Sequence, residues 1–200
     1  QMLNDLSALS VLANLNNLLV AGNGLTSLQS LPQRDYEGLY IQKNPIVDFG
    51  SAGLNAYNNL YMTVDSQESA LFAKEIDPTI VFAVINETPV ASFDFLTGKN
   101  SLVFGCVGCG LSDSELANEF VDRTLEMPAL SILAVYDDRI RDVSPFARVQ
   151  LSLNIGITQL LLDGNEISAI DSLDGMSLDM IRLDRNPVLC SVIETFNQTN

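Results

Sequence analysis

The sequence predicts an α/β solenoid, one domain over residues 1–200 made of about eight short stacked repeats. Three observations predict it. Apolar residues two apart recur ahead of an asparagine, or a substitute for it, along nearly the whole chain. The pattern returns every 21 residues from Asn23 to Asn44 to Asp65 and is irregular only over about 66–156. Hydrophobic residues make up 47% of the chain, enough for a continuous core. No apolar run approaches the ~18 to 20 residues of a membrane span.

The chain begins at Gln1 without a signal-peptide pattern, as expected of a processed form or fragment. It opens mid-repeat, with Leu3, Leu6 and Leu9 mirroring Leu25, Leu28 and Leu31. The first full copy is LNNLLVAGNGLTSL. Leu15, Leu18 and Val20 lead to Asn23, and Leu25 and Leu28 follow it. The same spacing surrounds Asn44 (Tyr36, Leu39, Ile41, Ile46, Phe49) and Asp138 (Leu130, Leu133, Val135, Ile140, Val143). It returns around Asn165 (Ile157, Leu160, Leu162, Ile167, Ile170) and Asn186 (Leu178, Ile181, Leu183, Val188). Degenerate copies centre on Asp65 and Cys109, and in TIVFAVINETPVASF the anchor falls on Asn86, Glu87 or Thr88.

Residues two apart face the same side of a strand, so Leu18 and Val20 both point into a core. Leu15, Leu25 and Leu28 complete it from the flanking turns. One repeat cannot bury these side chains alone, but stacked copies bury them together. Asn23 then turns the chain out of the strand, and its amide is expected to satisfy backbone groups of its own loop and of the next repeat. Asp65, Cys109 and Asp138 are poorer substitutes.

Longer segments interrupt the pattern. A helix near Gln67 to Lys74 is expected. In LSDSELANEFVDRTLEMP, Ser112 and Glu115 form a capping box, and Leu116, Phe120, Val121 and Leu125 share one face. A helix follows from about Asp113 to Glu126, before Pro128. Ser144 is placed to cap a short helix starting at Pro145, with Phe146 and Val149 inward.

The consensus LxxLxLxxN/CxL in five clean copies resembles the leucine-rich-repeat family, over nearly the whole chain. Tails such as RIRDVSPF and NEISAIDSL are most similar to the short-repeat, internalin-like or SDS22-like subclass. The resemblance implies a curved parallel sheet on the concave face, with short helices or 3₁₀ turns on the convex face. RNPVLCSVIE resembles the start of a C-terminal cap, but the further cysteines of such a cap are absent. Cys190 is then either a mark of truncation or a buried thiol.

Strand positions between the core residues point to the concave face. One column reads Leu19, Tyr40, Tyr61, Gly105, Ala134, Leu161, Arg182. The next reads Ala21, Gln42, Thr63, Val107, Tyr136, Asp163, Asp184, and a third Asn17, Gly38, Asn59, Val103, Ile132, Gln159, Met180. Tyr40 and Tyr61 are expected to stack. Val103, Val107, Ile132, Tyr136 and Leu161 extend an apolar strip of the kind that marks binding sites. Asp163, Arg182 and Asp184 make a charged end, either a clamp for a polar or basic group or a self-satisfied ion cluster. The latter is preferred, and no loop with calcium-ligand spacing is present.

The formal charge is −15, from 25 acids and 10 bases, with no histidine. That disfavours nucleic acid and anionic membranes, and removes the commonest general base and metal ligand. Three cysteines do not make a disulfide framework. In CVGCG, Cys106 and Cys109 look like half a zinc site, but the spacing turns both inward and core packing is preferred. Asn86 and Asn197 open glycosylation sequons, the first weakened by Pro89.

The expected function is non-enzymatic recognition of a protein or peptide, or a surface glycan, through the concave face. Tyr40, Tyr61 and Tyr136 are the expected anchors. No cofactor, metal, nucleic acid or membrane insertion is expected. The expected location is extracellular or at the cell surface, with the cytoplasm as alternative. Competing readings are a self-associating segment of a larger extracellular or filamentous assembly, and a regulatory subunit of an enzyme.

Overall fold

The computed structural model describes residues 5–52, 55–77, 79–124, 127–153 and 156–192. Among them, eight strands form one parallel sheet in chain order. They are β1 (Asn17–Leu19), β2 (Tyr36–Tyr40), β3 (Tyr57–Met62), β4 (Val81–Ile85), β5 (Val103–Val107), β6 (Ile132–Tyr136), β7 (Gln159–Leu161) and β8 (Met180–Arg182). The blurred copy is β4. Leu18, Leu39, Leu60, Phe82, Phe104, Leu133, Leu160 and Ile181 fall in one cross-strand row. All of that row but Ile181 is buried.

The segments returning between strands cover the inner face of the sheet. The returns after the fourth and seventh strands pass through 3₁₀ turns, Asp94–Leu96 and Asp171–Leu173, while those after the third, fifth and sixth carry helices. α1 (Gln67–Glu75) begins at a reciprocal cap, with Ser66 Oγ accepting from Ser69 N–H and Ser69 Oγ from Ser66 N–H. It buries Phe72 and Ala73. Its far end is met by Lys99, a buried lysine whose Nζ donates to the carbonyls of Lys74 and Ile76 at 3.2 and 2.7 Å. Burial pulls that ammonium down to about 8, against the opposing pull of Asp77.

The helix expected over 113–126 is composite. α2 (Asp113–Glu115) starts at the Ser112–Glu115 capping box and passes through a π-helical segment, Leu116–Phe120, into α3 (Val121–Thr124). The wider π turn brings Leu116, Phe120, Val121 and Thr124 all to full burial. Leu125 and Glu126 lie outside the described residues. α4 (Ser144–Leu153) buries Phe146, but Ser144 is its first residue and not its cap. Asp142 does that work, accepting from Ser144 N–H at 2.9 Å and Ser144 Oγ at 2.9 Å. The side chain of Val149, and residue Leu3, lie outside what is described. Phe82, Phe93, Phe95, Phe104 and Phe120 fill the core behind β4 and β5.

The anchors work backwards along the chain, toward the preceding repeat. Asn44 Oδ1 accepts from Asn23 and Leu25 N–H at 2.9 and 3.0 Å, and its Nδ2 donates to Val20 and Ile41 carbonyls at 2.8 Å each. Asn165 repeats this against Ile140 N–H and Val135 O, and Asn186 against Ile167 N–H and Leu162 O. This corrects the expected direction. It also explains why Asn23 is exposed, bonding only locally to Ala21 O. No described strand precedes its own for it to serve.

The residue before the anchor adopts the left-handed conformation in six repeats: Gly22, Lys43, Gly108, Asp137, Gly164 and Arg185. Val64 and Asn86 hold that place in the other two repeats without a positive φ. There the anchor moves. Asp65 is exposed, and buried Asn86 accepts from Val64 N–H at 2.9 Å and donates to Val64 O at 2.7 Å. The folded chain therefore does not present Asn86 as a glycosylation acceptor, and Asn197 lies outside the described residues.

Asp138 holds the anchor place with a carboxyl. Oδ1 accepts from Leu111 N–H at 2.8 Å, while Oδ2 is buried without a partner where an asparagine would donate. Burial pushes this acid up to about 6, against hydrogen bonds from Leu111, Gly110 and Cys109.

Asn44→Ala strands two N–H groups and two carbonyls, and is expected to cost about 3 kcal/mol in urea unfolding. Asp138 is protonated up to about pH 6 when folded and only up to 3.8 when unfolded. Its stabilising contribution is complete below 3.8 and is lost as pH rises through about 6, on the order of 2–3 kcal/mol. Asp138→Asn is expected to abolish that loss, seen as a Tm difference from wild type that grows between pH 4 and 7.

Candidate functional site on the open sheet face

Strand residues that alternate with the core row project from the opposite face. The middle ladder is Leu19, Tyr40, Tyr61, Ala83, Gly105, Ala134, Leu161 and Arg182, each in register with the next. Tyr40 and Tyr61 stack at 4.8 Å between centroids, with ring planes 23° apart. The Tyr40 ring folds over Gly38, where a Cβ would lie 2.6 Å from Tyr40 Cε2 and 2.6 Å from Asn17 Oδ1. Glycine there makes room for the aromatic pair. Burial raises the Tyr61 hydroxyl above its ordinary value, and the neighbouring Tyr40 adds to this.

Three strands carry the apolar strip. On β4 to β6 the outward residues are Val81, Ala83, Ile85; Val103, Gly105, Val107; and Ile132, Ala134, Tyr136. None is charged. Val81, Ile85, Val103, Val107, Ile132 and Tyr136 are half-buried, and Ala83, Gly105 and Ala134 form a low floor between them. Leu161 continues the strip on β7. Val81, Ala83 and Ile85 are absent from the sequence-derived columns because the anchor of that copy was ambiguous. The Phe82/Val84 spacing was the signal that could have placed them.

The charged end is closed on itself. Arg182 Nη2 donates to Asp163 Oδ2, while Asp163 Oδ1 accepts from Asp184 N–H at 3.0 Å. The Arg182 guanidinium lies 6.0 Å from the Tyr136 ring centroid. Burial raises the Tyr136 hydroxyl, an effect that Arg182 opposes and Asp163 reinforces. Asp137 and Arg185 pair at 2.7 Å across Gly164, where any Cβ would collide with both. Arg182 is thus committed chiefly to Asp163, with exposed Asp184 at 3.9 Å. Among the described residues, no group of three or more acids or cysteines is arranged to hold a metal ion.

Cys106 and Cys109 are buried, as core packing predicts, but their sulfurs are joined in a disulfide, contrary to the expectation of unpaired core thiols. Cys190 is an exposed free thiol and not a buried one. The native chain is expected to titrate one fast-reacting thiol with an aromatic disulfide reagent. Two more should appear only after denaturation and reduction.

No protein-family model matches the chain, and no curated protein matches it in sequence. Among solved structures it is similar to internalin C2 from Listeria monocytogenes. The TM-score is 0.52 and the identity 17%, over 87% of this chain and 73% of that one. Eight parallel strands in chain order, joined by 3₁₀ turns and short helices, agree with that likeness. The chain has the leucine-rich-repeat fold.

Proposed function

We propose that the chain is a non-enzymatic recognition module that binds a protein or peptide through its concave sheet face. The observation that carries this reading is the uncharged strip on β4 to β6 beside the Tyr40–Tyr61 stack, on a chain of net charge −15. A protein so acidic keeps nine neighbouring outward positions free of charge where desolvation would otherwise be costly. Tyrosines suit such a place, burying a large ring while the hydroxyl stays wet. Tyr40, Tyr61 and Tyr136 are the anchors. Val103, Val107, Ile132 and Leu161 supply the apolar contact, and the Asp163–Arg182–Asp184 cluster bounds it.

The site lies outside the cell or at its surface. The Cys106–Cys109 disulfide supports this, because such bonds persist in oxidising compartments. Among the described residues, no helix is long and apolar enough to cross a membrane.

Capture from source material tests the reading, comparing wild type with Tyr40→Ala/Tyr61→Ala/Tyr136→Ala after circular dichroism has established that both fold. The expected outcome is one specific partner retained by wild type and weakened about 100-fold or more by the triple variant. Equal capture by both would move the binding surface off this face and sink the proposal.

A further inference from the structure

We infer that the concave strip is a seat for one amphipathic α-helix of a partner protein, with basic residues on the helix flanks, lying across strands β4 to β6. This rests on the recognition reading above and names the partner element. The strip is a trough. Its floor is Ala83, Gly105 and Ala134, and one wall is Val81, Val103 and Ile132. Ile85, Val107 and Tyr136 form the other wall. Tyr61 closes one end, and Leu161 with the paired Arg182 closes the other.

The lining decides what can sit there. Backbone groups of the floor are committed to the sheet, and the valine and isoleucine walls offer no donor or acceptor. An extended peptide or a sugar would bury its own polar groups against this surface without partners. A helix satisfies its backbone internally and can present an entirely apolar stripe. The dimensions agree. The walls stand four residues apart along each strand, about 13 Å at ~3.3 Å per residue, close to a helix diameter of about 10–12 Å. From β3 to β7 is four strand steps, about 19 Å, which a helix of about 13 residues spans.

Charge selects the flanks. The edge where the strands end carries Asp65, Glu87, Asp137, Asp163 and Asp184, and three of its bases are already paired. Lys43 pairs with Glu87 at 3.2 Å, Arg185 with Asp137, and Arg182 with Asp163. The excess is negative, as in the whole chain. A lysine-flanked helix is attracted and a glutamate-flanked one repelled.

Gly105 allows a direct test. A Cβ there would meet only Ala83 Cβ at 3.5 Å and Ala134 Cβ at 3.8 Å, ordinary contacts, so a larger side chain fills the trough without breaking the sheet. Three side-chain-stapled or proline-interrupted peptides of about 14 residues serve as probes. One is a helix with a leucine and alanine stripe and lysine flanks. The second carries glutamate flanks, and the third is the lysine version interrupted by proline. Affinities come from fluorescence anisotropy with the 200-residue chain, and the contact surface from amide hydrogen exchange.

The lysine-flanked helix is expected to bind and to protect β4 to β6, with the other two at least about tenfold weaker. Gly105→Leu should weaken it at least about tenfold with Tm shifted by only a few degrees. Val103→Lys, which puts a charge on a half-buried wall, should do the same if the leucine variant does not fold. The inference is overturned if the lysine-flanked helix does not bind, if the proline-interrupted peptide binds equally, or if both variants leave affinity unchanged. Its failure is separable from that of the recognition reading. A partner lost by the triple tyrosine variant but kept by Gly105→Leu leaves concave-face recognition standing without a helix in the trough.

Discussion

The structure depends on one constraint: each turn that leaves the sheet is covered by the next repeat and must have its backbone polar groups satisfied there. A single asparagine side chain meets it. It offers one acceptor and two donors on a short stem, so Asn44 and Asn165 can serve N–H and C=O groups in two repeats at once. That fixes the offset between neighbouring turns, and with it the register of the strands that enter them. Where the asparagine is missing, the chain improvises. Asn86 shifts by one position to reach Val64, and Asp138 supplies the acceptor but lacks the donor. At the Cys109 repeat the corresponding side chain is tied into a disulfide with Cys106.

Register held this way turns local sequence into surface. Because Leu60, Phe82, Phe104 and Leu133 share one row, the residues following them also share one, and their sizes become a relief. Tyrosines give way to alanine, glycine and alanine, then to leucine and arginine. Neither feature exists in a single repeat. The aromatic stack needs two strands, and the trough beside it needs three. The ionic cluster at the far end is likewise a product of stacking, since Asp163 and Arg182 lie on successive repeats. Arg182 there offsets one of the two aspartates and leaves the end of the strip negative.

The irregular middle shows how insertions are carried by the solenoid. The repeats entering β6 and β7 are longer, and their extra residues form the α2–π–α3 helix and α4, while α1 is fitted into a repeat of nearly regular length. Phe120 of the π segment packs on Phe93 and on Phe104 of β5, beneath the strip. Lys99 shows the cost of such insertion. Its ammonium is drawn inside to meet the carbonyls of Lys74 and Ile76 at the end of α1, the second of them buried.

Read alone, the sequence determined the repeat, the position of seven of the eight strands, and the pairing of Tyr40 with Tyr61. The reason is that a strand contributes strictly alternating side chains and a repeat copies its own spacing, so a one-dimensional pattern carries two-dimensional information. It also marked the charged end and all the convex helices within a few residues. Tertiary structure alone decided the rest. Which neighbour an asparagine serves, and hence why Asn23 is exposed, depends on which repeat lies beside it. The choice of Asn86 over Glu87 depends on Val64 being within reach. The Cys106–Cys109 bond, the π turn through Leu116–Phe120 and the low floor at Ala83, Gly105 and Ala134 arise from packing between repeats. Spacing within one repeat cannot encode contacts whose partner is about 20 to 30 residues away.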